Sequence, residues 1–106
     1  MSASIFDKLE EIYPSIINMM PDDLFNTHEF MLKLTQEYQS LYVQALIEYS
    51  QYDQPSLLVI QQITYRLKER SDLVIYVRNE PIKNSFDQKF DFEVWQKTPK
   101  QISSKP

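Results

Sequence analysis

Apolar residues along this chain change their spacing once, and the change divides the fold. Up to Arg70 they recur every three or four residues, the period of a helix that buries one face. From Leu73 they form a continuous and then alternating β-prone run, the period of a strand. A chain of 106 residues has room for one core, so both parts must share it. The class this predicts is α+β and mainly helical: three helical segments followed by a C-terminal two-stranded β-hairpin. One domain is expected over residues 1–97, with a flexible basic tail over 98–106.

The first helical segment runs from Ser4 to about Met20. Ser4 is its N-cap with Asp7 three residues on, and Ile5, Leu9, Ile12, Ile16 and Met19 lie on one face. Pro14 either kinks this segment or divides it into two short helices, and Pro21 ends it. The second helix carries the firmest local signal. Asn26 caps it, Glu29 completes a capping box, and Phe25 and Phe30 bracket its start as a hydrophobic staple. Its apolar stripe of Phe30, Met31, Leu34, Tyr38, Leu41, Tyr42, Ala45, Leu46 and Tyr49 predicts a helix from Thr27 to about Tyr49. A third helix opens with Pro55 and reaches about Arg70, burying Ile60, Ile63 and Leu67 with Leu57, Val59 and Thr64 at the margins. Its opposite face presents Leu58, Gln61, Gln62, Tyr65, Lys68 and Glu69, with Arg66 on a flank.

The two strands are expected over Leu73–Val77 and Phe90–Trp95, joined by a long loop from Asn79 to Lys89 that holds Pro81, Asn84, Ser85 and Asp87. Trp95 falls on the strand face opposite Phe90, Phe92 and Val94. It either covers an edge of the helical layer or marks an exposed contact patch.

Composition removes whole classes of chemistry. Without cysteine there is no disulfide, no thiolate nucleophile and no cysteine-ligated zinc. Without glycine there is no backbone cradle of the P-loop or Rossmann kind for a phosphate. His28 is the only histidine, so a metal site would need carboxylates or water to complete it, and its helix-start position reads as solvent-facing. Glu10 and Glu11, like Asp22 and Asp23, are adjacent on the chain and diverge by about 100° on a helix, so they do not converge on a substrate. The chain is therefore read as non-enzymatic, with no cofactor and no metal. No apolar run approaches the roughly 20 residues that span a bilayer, and the first residues do not form a secretory signal; no membrane partner and a cytoplasmic address are the expectation.

The net charge of −4 is unevenly placed. Residues 1–53 carry nine acids against Lys8 and Lys33, a balance of −7, whereas residues 54–106 carry nine bases against six acids, a balance of +3. An acidic helical half is thus joined to a basic β half, which permits a basic face on an acidic protein. Tyr38, Tyr42 and Tyr49 share the second helix stripe and Tyr52 follows it. Aromatic residues at that spacing are core or interface, and a homodimer through the first or second helix is one outcome.

A helix with a polar outer face bearing glutamine and arginine, followed at once by a hairpin bearing Arg78, Lys83 and Lys89, resembles a winged helix-turn-helix domain over residues 25–97. The resemblance is one of element order. It implies a DNA-binding or transcription-regulatory domain with the third helix in the major groove and the hairpin as wing. Gln61, Gln62, Tyr65 and Arg66 would then read bases, and Lys68, Arg78, Lys83 and Lys89 would contact phosphates of double-stranded DNA. The resemblance also asks for a shorter second helix, broken near Ser40. The alternative is a protein–protein interaction adaptor or inhibitor that uses the acidic N-terminal half as its surface.

Overall fold

A computed structural model describes residues 4–83 and 89–98. Four helices and three strands follow one another as α1 (Ile5–Met19), β1 (Leu24–Asn26), α2 (Thr27–Glu37), α3 (Gln39–Glu48), α4 (Pro55–Lys68), β2 (Val74–Lys83) and β3 (Lys89–Lys97). The α+β class and the helical majority are as expected.

Both capping boxes form. Ser4 Oγ accepts from the Phe6 amide at 2.9 Å while Asp7 accepts from the Ser4 amide, and Asn26 Oδ1 accepts from the Glu29 amide at 2.8 Å while Glu29 accepts from the Asn26 amide. The staple forms too, with the rings of Phe25 and Phe30 stacked at 6.1 Å. Of the two outcomes open at Pro14, division into two short helices is not found: α1 is one helix with the proline inside it. An internal proline costs about 3 kcal/mol. Leu9, Tyr13, Ile16 and Ile17 on either side are fully buried, and each large apolar side chain buried returns about 1.5–3 kcal/mol, so continuity wins.

The long second helix is corrected. It ends at Glu37, Tyr38 takes φ −134° and ψ 51°, and α3 starts at Gln39. A straight helix from Thr27 to Tyr49 would be roughly 35 Å long, and its last turns would overshoot the core. The bend returns α3 onto α1 and α4, so Ala45 is buried and the Tyr49 ring lies 5.6 Å from that of Phe6. Tyr38 still closes α2 by donating its amide to Leu34 O at 2.8 Å and opens α3 by accepting from the Leu41 and Tyr42 amides.

The sheet has three antiparallel strands in the order β1-β3-β2, not two. The added strand is β1, whose Phe25 pairs with Trp95 and whose Asn26 pairs with Val94. An N-cap residue is extended by nature, so the backbone that caps α2 (Asn26 φ −109°, ψ 170°) is already in strand geometry and covers the free edge of β3. The expected loop is shorter as well: β2 continues through Pro81 to Lys83, and β3 begins at Lys89. Pro81 is tolerated because β2 is an edge strand, and the register shifts once, between Tyr76 and Arg78.

α1 is the centre of the core and packs on α2, α3 and α4. The sheet adds Phe25, Val74 and Trp95 from one face, which resolves the position of Trp95: it is 1% exposed, turned into the core. In α4 the buried line is rotated from the expected one, with Val59, Ile63 and Leu67 at its centre, Ile60 half-buried and Leu57 exposed. Thr98 is buried and anchored, its hydroxyl donating to Asp72 O at 2.9 Å and its amide to Leu73 O. Residues 99–106 of the expected tail lie outside the described residues.

Candidate binding groove

One side of α4 is left uncovered. Leu57, Gln61, Tyr65 and Lys68 follow at steps of four, four and three, so they share a face. Together with Ile60 and Thr64 they form one wall of a groove of about 510 Å³, and Phe92 and Glu93 of β3 form the other. The exposed side chains include two large apolar ones, Leu57 at 45% and Tyr65 at 61%.

Glu93 is held in place from beneath. The buried Thr27 hydroxyl donates to Glu93 Oε1 at 3.3 Å and accepts from Trp95 Nε1 at 3.0 Å. A single hydroxyl thus links the core tryptophan, the first turn of α2 and the carboxylate on the groove wall. His28, next along α2, is exposed, and its ring lies 5.7 Å from that of Phe92.

The residues expected to touch DNA do not all fall together. Gln61, Tyr65 and Lys68 share the groove wall, while Gln62 is half-buried outside the lining. Arg66 turns the other way, to α1. It donates to Asp7 Oδ1 and Glu10 Oε2, both at 2.9 Å, with its guanidinium 5.7 Å from the centre of the Phe6 ring. Burial works against its charge, but the hydrogen bonds to Asp7 and Glu10 outweigh burial and raise its pKa. The Arg66 hydrogen bond in turn holds the Asp7 carboxyl below its ordinary value, helped by the Ser4 amide. Arg70 extends the cluster by pairing with Glu10 at 3.2 Å and with Asp72 at 2.9 Å, its pKa raised first by the bond to Asp72. Arg78 donates to Glu80 beside Asn26, Glu29 and Val94, away from the α4 wall. The backbones of Lys83 and Lys89 pair with each other at the end of the hairpin, and their side chains lie outside the described residues.

On the acidic half, Asp7 and Glu10 are engaged by Arg66, whereas Asp22 and Asp23 are exposed in the connection from α1 to β1. Of the expected α1 stripe, Ile5, Leu9 and Ile16 are buried and Ile12 is half-buried, whereas Met19 at the end of the helix is exposed; the large apolar residues exposed on α3 are Val43 and Ile47. Among the described residues, no three of His, Cys, Asp and Glu gather as a metal cage. No helix among the described residues is long and apolar enough to cross a membrane.

Glu93 and Thr27 carried no signal in the sequence. One was an alternating residue of a strand and the other the first residue of a helix, and 66 positions separate the two. Comparison of the chain with protein-family models, with curated proteins and with solved structures finds no match in any of the three.

Proposed function

We propose that this chain is a non-enzymatic binding module that takes a segment of a partner protein in the groove between α4 and β3. The observation that carries this reading is the groove itself: exposed Leu57 and Tyr65 on one wall, and Phe92 with the held Glu93 carboxylate on the other. A concave, largely apolar site with a few placed polar groups is the usual form of a recognition surface. The surface differs from the acidic one first expected for an adaptor, because two of those acids serve Arg66. A photo-crosslinking residue at Tyr65 should capture a protein partner, a matched one at Val43 should not, and Leu57→Asp should abolish capture without lowering the melting temperature. Equal capture from both positions would defeat the reading.

A second reading is a winged-helix DNA-binding or transcription-regulatory domain. Its support is the exposed row of Gln61, Tyr65 and Lys68 on the helix that precedes a hairpin. It requires Arg66 to leave two carboxylates or to play no part. Its signature is duplex binding that weakens steeply with salt, and duplex binding absent at low ionic strength would remove it.

A further inference from the structure

The groove's own chemistry specifies what it recognises. Resting on the reading of the groove as a protein-binding site, we propose that its occupant is a peptide segment with an arginine between apolar residues. The guanidinium is bonded to Glu93 and the apolar neighbours lie against Leu57, Ile60 and Phe92.

Three observations converge on this occupant. First, Glu93 is half-buried on the wall and engages the Thr27 hydroxyl through Oε1, yet it makes no ion pair among the described residues. A carboxylate offers about four acceptor sites, so one bond from Thr27 leaves most of them for a ligand. Second, that carboxylate is oriented in advance, because the hydroxyl holding it is itself held by Trp95. An oriented acceptor on an apolar wall loses little rotamer freedom on binding and acts in a medium less screening than water. Lys68 on the opposite wall is the contrasting case: it is exposed at the end of α4 on a long stem, beside Glu69, and would be immobilised at an entropic cost. A cation on the partner therefore gains more than an anion would. Third, the rings of Tyr65 and Phe92 line the same groove. A guanidinium combines a planar fork for a carboxylate with a face that stacks on aromatic rings, which an ammonium does not. The net charge of −4 further favours encounter with a basic segment.

A display library of random linear peptides selected on the immobilised full chain tests this. Wild type should enrich peptides with arginine flanked by apolar residues, and Glu93→Lys should enrich acidic residues at that place. For a synthetic peptide from the selection, replacing arginine by citrulline should weaken binding to wild type about tenfold. The same replacement should change nothing for Glu93→Gln, which keeps an acceptor for Thr27. Binding to wild type should also shift the emission of Trp95, the only tryptophan. Peptides that depend on Leu57 but carry no basic residue, or that bind Glu93→Gln as tightly as wild type, leave the groove standing and overturn the arginine. Peptides indifferent to Leu57→Asp, or no enrichment at all, overturn the groove as well.

Discussion

Replacing Thr27 by valine exchanges one hydroxyl for one methyl at a site that is almost fully buried. Both side chains are β-branched and of similar size, so neither a cavity nor a change in helix preference accompanies the exchange. The cap of α2 is untouched, since it is made by Asn26. What is lost is the acceptor for Trp95 Nε1 at 3.0 Å and the donor to Glu93 Oε1 at 3.3 Å. An indole N–H left buried without a partner costs about 1–3 kcal/mol. The bond to the carboxylate is long and partly exposed, so it adds a smaller amount. The expected loss is about 2 kcal/mol, which for a domain of this size lowers the melting temperature by roughly 10 °C and the urea midpoint by about 1 M. Urea unfolding followed by circular dichroism measures the loss, and the emission of Trp95 reports the change around the indole. A Thr27→Val chain within about 0.5 kcal/mol of wild type would refute the claim that this hydroxyl ties the core to the groove.

The Tyr13 hydroxyl is fully buried and meets no hydrogen-bond partner among the described residues, and burial raises its pKa. Tyr13→Phe should therefore be neutral or stabilising by up to about 1 kcal/mol in thermal unfolding, and a loss of that size would show that the hydroxyl is satisfied. Gln54 is the one described residue with positive φ, at 55°, ahead of Pro55. A left-handed non-glycine costs roughly 1–2 kcal/mol and glycine costs less than that in chain entropy, so Gln54→Gly should raise the melting temperature and Gln54→Val should lower it. Asp7 contributes stability that is present above its unfolded value near 3.8 and lost as pH falls through its lower folded value. The melting temperatures of wild type and Asp7→Asn should converge across that acid window, and a difference that persists below it would mean the carboxylate acts other than through its charge.

The parts of this fold legible in the sequence are those whose causes lie within a few residues. Ser4 with Asp7, Asn26 with Glu29, Phe25 with Phe30 and Pro55 at a helix start are local devices, and each appears where it was expected. The α+β class follows from the single change of period, which is also local. The break at Tyr38 had no such marker, because neither proline nor glycine stands there. It exists because α1 and α4 lie where a straight helix would miss them.

The candidate site belongs almost wholly to the second kind. Sequence placed Gln61, Tyr65 and Lys68 on one outer face of α4, because a helix imposes that geometry on its own residues. It could not show that Arg66, beside them, is drawn to Glu10 across 56 positions, or that Trp95 meets Thr27 across 68. Those pairings depend on which elements share the core, and charge and hydrogen-bonding capacity alone leave many partners open to each group. By itself the sequence determined the type and ends of most elements, since caps and apolar period act along the chain. Only the tertiary structure decided which cations are spent on α1, which short extended segment closes the sheet, and which carboxylate faces the groove, because those outcomes follow from packing between elements distant in sequence.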